Sequence, residues 1–245
     1  MNKEDKQYSG GQSEGTGEVV PLRIASTAQL ARIIDAAMLR PQATRTEVEV
    51  FLEEALLYNF GAVFLHPTWI GDARQIVKGT PVKLGIAIGY PHGAHLTETK
   101  LAEIDQGLEM GADEFDMVAN IGRLRSGEHM SVAKELERCR RSVEDKIFKV
   151  IIETGWLSDE EKRLAAHIVA DAGADFVKTS TGVTAPGATA PDVALLFEAI
   201  KGKTGVKASG GIRSLEQTLE LVKAGATRIG TSSGRIIVEE AKKNL

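Results

Sequence analysis

The strongest constraint on the fold is a regular alternation of short apolar segments with amphipathic ones, from Leu22 to the end of the chain. The apolar segments have the length of buried strands, and the amphipathic segments have the spacing of helices. We count eight strand–helix pairs, with no change of composition between them. Such units predict a parallel sheet, and eight of them predict an α/β fold closed into a single-domain (β/α)8 barrel, the TIM barrel.

Glycine–alanine pairs recur at junctions between a helix and the next strand, at residues 61–62, 111–112, 173–174 and 225–226. We expect each glycine to end a helix in a left-handed turn and each alanine to admit the strand. No Gly-x-Gly-x-x-Gly follows the first strand, which counts against a dinucleotide-binding fold. The predicted strands cover residues 34–38, 62–65, 82–88, 114–118, 148–152, 176–178, 206–209 and 228–230.

Polar residues before the amphipathic segments predict where helices begin. We expect Thr97 to cap one helix, and a short helix over residues 27–33 to form a lid before the first strand. Residues 1–19 are polar and rich in Gly and Ser. We therefore divide the chain into a flexible leader, 1–20, and the barrel domain, 21–245. Capping boxes are expected at Thr44 with Glu47, Ser158 with Glu161, and Ser214 with Gln217.

The amino-acid composition indicates which kinds of binding partner to expect. The net charge is −4 and aromatic residues make up 5% of the chain, which favours neither nucleic acid nor an anionic membrane. The single cysteine, Cys139, cannot form an internal disulfide, which fits the reducing cytoplasm. His92 and His95 lie in a predicted loop, and no cluster has the spacing of metal ligands, so we expect no metal site.

Charged residues at the ends of predicted strands carry the functional signal, because TIM-barrel active sites form there. Lys178 closes an apolar strand, Lys207 lies on the next one, and Asp116 lies on the fourth strand on the same side as Glu114. Neighbouring lysines disfavour each other's protonation, which yields the neutral amine that a Schiff-base nucleophile requires. We expect Lys178, Lys207 and Asp116 to be catalytic.

Each of these residues also has a purely structural interpretation. Asp116 could be a buried structural carboxylate, Lys207 could pair with Glu114 or Glu153, and Lys178 could mark where its strand reaches water. The coincidence of two lysines and an aspartate on three strands favours the catalytic interpretation.

Small residues follow the last two strands, where this fold commonly binds phosphate. Their backbone N–H groups can approach an anion closely. We place the end of the first strand near Asp35 and add this residue to the substrate site. The alternative is that these segments are ordinary tight turns. The candidate substrate-binding and phosphate-binding residues are Asp35, Thr181, Gly182, Ser209, Gly210, Gly211, Gly230, Ser232 and Ser233.

From about Ile34 to Ser233, the chain resembles the 2-deoxyribose-5-phosphate aldolase family of class I aldolases. The segments that carry the resemblance are 88–91 with 93–94, 111–118, 149–154, 176–182 and 206–213. The resemblance implies that Lys178 forms the Schiff base, that Lys207 lowers its pKa and that Asp116 relays protons. It implies cleavage of 2-deoxyribose 5-phosphate to glyceraldehyde 3-phosphate and acetaldehyde, with no metal or organic cofactor. We expect a homodimer or homotetramer.

Several positions depart from that family's pattern. Ala36 and Ala37 remove a usual hydroxyl, Phe64 and His66 stand in a segment where many members have cysteine and then Asn-Pro or Tyr-Pro, and His92 replaces a usual leucine. The tail, residues 239–245, has no tyrosine. These changes put the preferred substrate in question. Three alternatives stay open: a related Schiff-base aldolase with another donor or acceptor, a phosphosugar isomerase on the same barrel, and a non-enzymatic phosphosugar sensor.

Overall fold

Eight parallel strands close into a barrel in the computed structural model, which describes residues 13–14, 18–19 and 21–244. Each strand pairs with the next one in the chain, and the last pairs with the first. The predicted (β/α)8 barrel is confirmed. The strands are β1 (Ile34–Met38), β2 (Ala62–Leu65), β3 (Lys83–Ile88), β4 (Glu114–Val118), β5 (Ile147–Ile151), β6 (Phe176–Lys178), β7 (Gly205–Ser209) and β8 (Arg228–Thr231).

Helices cover the outside of this barrel, and among the described residues none is long and apolar enough to cross a membrane. The short helix α5 has no counterpart in the sequence prediction. The helices are α1 (Thr27–Arg32), α2 (Arg45–Tyr58), α3 (Ile70–Val77), α4 (Thr97–Glu109), α5 (Ile121–Arg125), α6 (His129–Ser142), α7 (Asp159–Asp171), α8 (Ala190–Ile200), α9 (Leu215–Lys223) and α10 (Gly234–Asn244).

Helix α1 lies at the end of the barrel where the strands begin. Ala31 O, in the last turn of α1, accepts a hydrogen bond from the N–H of Gly61, the residue just before β2. The predicted lid helix therefore closes the amino-terminal end of the barrel, opposite the ends where an active site is expected. The predicted leader, residues 1–20, falls almost entirely outside the described residues; two short paired strands, Ser13–Glu14 and Glu18–Val19, are described there.

Two of the three predicted capping boxes are confirmed, at α2 and α7. At α9, Ser214 accepts from Gln217 N as expected, but the Gln217 amide oxygen accepts from Arg213 N instead of the cap. The expected Thr97 cap is wrong. Leu96 holds the cap position of α4 without a side-chain bond, and the Thr97 hydroxyl donates to Glu135 of α6.

The glycines of three junctions take the expected left-handed conformation, with φ of 86° at Gly111, 79° at Gly173 and 116° at Gly225. Gly61 does not, because Asn59, with φ of 55°, already ends α2 in the left-handed region. A Cβ at Gly61 would lie 2.2 Å from the carbonyl oxygen of Arg32, so this glycine instead permits close contact between chain segments.

Side chains alternate across each strand between two different environments. On β4, Phe115 and Met117 belong to the apolar core between the strands and the surrounding helices. Glu114 and Asp116, on the other face of the same strand, are also buried but point into the barrel. The layer between the strands and the helices is therefore packed with apolar side chains. The inside of the barrel contains charged groups.

Candidate active site

Seven ionisable side chains from six strands are buried together inside the barrel, each at most 6% exposed. Isolated buried charges are strongly unfavourable, so such a group is stable only when its members pair with one another. Contacts among them run from β1 through β4 to β8. The seven are Asp35, Glu114, Asp116, Lys149, Lys178, Lys207 and Arg228; we call them the interior charge cluster.

The upper part of the interior charge cluster joins the three predicted catalytic residues. Lys178 and Lys207 are paired in register across β6 and β7. Their Nζ atoms contact the same oxygen, Asp116 Oδ2, at 2.7 and 2.6 Å. Lys207 also contacts Asp35 Oδ2 at 2.5 Å. One carboxylate oxygen therefore links the two amines by hydrogen bonds, which gives a short path for a proton between them.

The lower part of the cluster holds Glu114 between two cations. Its carboxylate accepts a short hydrogen bond from Lys149 and two from Arg228, at 2.9 and 3.0 Å. Glu153 instead accepts from Thr181 N at 3.1 Å. The alternative in which Lys207 pairs with Glu114 or Glu153 is therefore wrong, since both carboxylates have other partners.

The cluster contains four cations but only three carboxylates, Asp35, Glu114 and Asp116. Burial alone would raise the pKa of Asp116, yet the neighbouring lysines outweigh burial and hold this pKa far below its usual range. Burial also lowers the pKa of Lys207 to about 8, against the opposing attraction of Asp116 and Asp35. The surplus positive charge is therefore relieved most easily by loss of a proton from Lys207.

A cavity of about 550 Å³ opens above the cluster, at the carboxyl ends of the strands. Lys178 and Lys207 line it, together with Ala37, Phe64 and Tyr90. The Tyr90 hydroxyl donates to Thr181 O at 3.3 Å, and burial raises the pKa of Tyr90 to about 12. Both amines therefore border a cavity whose lining includes the apolar side chains of Ala37 and Phe64.

The position of Asp35 differs from the expectation. Strand β1 continues to Met38, so Asp35 is its second residue and not its end. Its carboxylate, although it borders the cavity, is 1% exposed, accepts hydrogen bonds from Arg228 and forms an ion pair with Lys207. Asp35 thus belongs to the interior charge cluster.

The structure brings most of the predicted phosphate-binding residues to the rim of this cavity, on the loops after β6, β7 and β8. Gly182, Gly210 and Gly211 have φ of 78°, 91° and 76°. A Cβ on Gly210 would lie 2.8 Å from Gly187 Cα, so the loops after β6 and β7 are in backbone contact. The predicted residues that line the cavity at or near this rim are Thr181, Gly182, Ser209, Gly210, Gly211, Gly230 and Ser232.

Two predicted serines have other local partners. The Ser209 hydroxyl donates to Ser180 O at 2.6 Å, which fixes the loop after β7 against that after β6. Ser233 does not line the cavity, and its N–H donates to Thr231 Oγ1 at 2.9 Å. Two basic residues that were not predicted, Arg40 and Arg213, line the opening.

Comparison with known proteins agrees with this geometry. Residues 29–240 match the model of the DeoC/LacD family aldolases. The chain is 46% identical over 221 residues to a deoxyribose-phosphate aldolase of Caldanaerobacter subterraneus subsp. tengcongensis, covering 89% of this chain and 96% of the relative. It is 45% identical over 211 residues to a Streptococcus gordonii protein of the same name, covering 86% and 96%.

A solved structure shows the same similarity in three dimensions. The deoxyribose phosphate aldolase from Aeropyrum pernix, described as having a unique tetrameric structure, superposes with a TM-score of 0.83 at 35% identity. The superposition covers 91% of this chain and 95% of that one.

Proposed function

Because the chain belongs to the DeoC/LacD family of aldolases, we propose that it reversibly cleaves 2-deoxyribose 5-phosphate to glyceraldehyde 3-phosphate and acetaldehyde through an imine on Lys178. The observation that carries the proposal is the contact of Lys178 and Lys207 with one oxygen of Asp116 beside an open cavity. The names of the relatives supply the substrate. The enzyme is a carbon–carbon lyase.

The reaction begins when the neutral Nζ of Lys178 attacks C1 of the open-chain sugar. The C1 oxygen takes one proton from Nζ and a second proton from solvent and leaves as water, which forms a protonated imine. The C3 hydroxyl then loses its proton and the C2–C3 bond breaks, while its electron pair moves into the imine to give an enamine. Glyceraldehyde 3-phosphate departs. Protonation of the enamine at C2 and hydrolysis release acetaldehyde and restore Lys178.

Lys207 and Asp116 support these steps without attacking the substrate. Lys207, whose pKa burial lowers to about 8, can take the proton of Lys178 through the Asp116 oxygen that both amines contact, so that Lys178 is available as a nucleophile. Asp116 stays ionised among three lysines and accepts from both amines, so it can pass a proton between them. Lys178 is the most accessible of the seven side chains of the interior charge cluster, which fits its role as the nucleophile.

The rim supplies recognition of the phosphate. Gly182, Gly210 and Gly211 leave room for an anion to approach the backbone, and the positively charged Arg40 and Arg213 line the same opening. The Lys178 end of the cavity, next to Ala37 and Phe64, would then hold the acetaldehyde portion. This wall offers no hydroxyl from Ala37, so donor recognition relies on shape.

The experiment compares cleavage of 2-deoxyribose 5-phosphate with cleavage of 2-deoxyribose, in the wild type and in Lys178→Ala. We expect the phosphate to raise kcat/KM by about a hundredfold or more. We expect Lys178→Ala to lower kcat by at least about a thousandfold. Isomerisation without cleavage would support the phosphosugar isomerase, and binding without turnover would support the sensor.

The proposal extends to assembly and location. We infer a homodimer or homotetramer that acts in the cytoplasm without metal or organic cofactor. The tetramer described for the Aeropyrum pernix relative supports self-association, and the single cysteine fits a reducing compartment. Light scattering on the purified protein tests the assembly, and a mass equal to one chain would contradict it.

A further inference from the structure

The aromatic ring of Phe64 lies beside the interior charge cluster, and three lysines of the cluster are its neighbours there. The ring centre is 3.9 Å from Lys207 Nζ, 4.4 Å from Lys149 Nζ and 5.9 Å from Lys178 Nζ. Aromatic faces carry partial negative charge and attract ammonium groups at these distances. The attraction falls with distance, so it is stronger for Lys207 than for Lys178.

The site of this ring is built into the sheet. Phe64 on β2 pairs in register with Gly85 on β3, and a Cβ at position 85 would lie 2.4 Å from the ring. The side chain is 2% exposed and lines the substrate cavity. The absence of a side chain at Gly85 therefore leaves the space that the ring of Phe64 occupies at the cavity wall.

The ring of Phe64 can partly compensate the surplus of one positive charge in the interior charge cluster. Because the cluster's carboxylates cannot neutralise all of its cations, the face of Phe64 offers the remaining partial negative charge. The charged groups around the lysine pair are Asp35 (β1), Asp116 (β4) and Lys149 (β5). Glu114 (β4) and Arg228 (β8) pair with each other and contact Lys149 and Asp35, respectively.

We propose that Phe64 is a positioning residue whose ring face stabilises protonated Lys207 and so favours the transfer of a proton from Lys178 to Lys207 through Asp116. This inference rests on the proposed Schiff-base function. It assigns to Phe64 a role in choosing which of the two lysines that donate to Asp116 becomes the nucleophile. Without the ring, the two lysines would compete more evenly for the proton that Asp116 can pass between them.

The balance is sensitive at neutral pH. With a pKa of about 8, Lys207 is protonated in roughly nine molecules out of ten at pH 7, and a fall of one unit would leave about half protonated. Loss of the ring is expected to lower the pKa of Lys207 by about one unit, which corresponds to about 1.4 kcal/mol. The transfer of a proton from Lys178 to Lys207 then becomes less favourable.

The test follows the Nζ titration of Lys207 by NMR in the full chain labelled at lysine, with the signal assigned by its loss in Lys207→Met. Phe64→Leu removes the ring, and replacement of Phe64 by 3,4,5-trifluorophenylalanine keeps its shape but weakens the negative face. Phe176→Leu is the matched control, because the ring of Phe176 lies 5.9 Å from Lys149 and 5.8 Å from Arg228 and, among the described residues, has no cation–π pair with Lys178 or Lys207.

We expect the pKa of Lys207 to fall in both Phe64 variants and to stay unchanged in Phe176→Leu. Borohydride trapping of acetaldehyde on Lys178 should become up to tenfold slower at its plateau, with a lower half-maximal pH. An unchanged or raised pKa in either Phe64 variant would overturn the proposal. Absence of trapping in the wild type would instead refute the proposed function, and the NMR titration would still decide the role of Phe64.

Discussion

Replacing Lys149 by methionine removes one of the four buried cations and should make the lysine pair hold its protons to higher pH. Lys149 and Lys207 both contact Asp35 Oδ2, at 3.6 and 2.5 Å, so their nitrogens lie no more than about 6 Å apart. At an effective dielectric constant of about 20, two unit charges at this distance repel by about 2.8 kcal/mol. This repulsion corresponds to about two pKa units.

The assay is the pH dependence of acetaldehyde trapping on Lys178. The half-maximal pH should rise by about one to two units in Lys149→Met, because the surplus cation that favours a neutral amine is gone. Stability should fall as well. Glu114 and Asp116 lose a buried partner, which costs about 3 to 5 kcal/mol. For a domain of this size, Tm should decrease by roughly 6 to 20 °C.

A second substitution separates charge balance from local damage. Lys149→Met combined with Glu114→Gln removes one cation and one anion, so the surplus of one positive charge returns. The double variant should bring the half-maximal pH back toward the wild-type value and recover part of the lost Tm. A folded Lys149→Met protein whose half-maximal pH is unchanged or lower would refute the charge-balance reasoning.

Three further predictions test other parts of the structure. Gly187→Ala would place a methyl group 2.0 Å from Gly210 O and separate the loops at the phosphate rim; KM for the phosphorylated sugar should rise about tenfold or more, and an equal loss in acetaldehyde trapping would contradict this. Lys100→Met would leave Glu135 without its buried partner and should lower the free energy of unfolding in urea by about 3 to 5 kcal/mol, most of which Glu135→Gln should restore; no such recovery would contradict the ion-pair account. Cys139 is buried, and burial raises the pKa of its thiol to about 12, so iodoacetamide should label it only on unfolding; rapid labelling of the native protein would contradict this.

The strands of the barrel could be predicted closely because buried parallel strands have continuous apolar sequences between clear turn signals. The bounds of β1, β2, β4 and β6 agree with the prediction at both ends. Helix α5 was missed because its five residues are too short to give an apolar period; Asn120 begins it by accepting from Arg123 N. The prediction of Thr97 as a helix cap was wrong because its hydroxyl donates a hydrogen bond to Glu135, a residue distant in sequence.

The sequence predicted only some of the charged residues inside the barrel. A lysine at the end of a strand, such as Lys178, suggests chemistry by itself. Lys149 stands within the apolar strand Ile147–Ile151 and Arg228 begins β8, and both were missed. Their burial is possible only because closure of the barrel brings carboxylates from β1 and β4 beside them. The number of opposing charges is thus a property of the closed barrel and not of any local pattern.

The most direct test of the central claim is to locate the imine. The wild-type protein is incubated with acetaldehyde and borohydride near pH 7.5, digested and analysed by mass spectrometry. We predict a single reduced adduct, an ethyl group on Nζ of Lys178, and none on Lys207. Modification of Lys207 in place of Lys178, or no modified lysine at all, would contradict the assignment of Lys178 as the Schiff-base nucleophile.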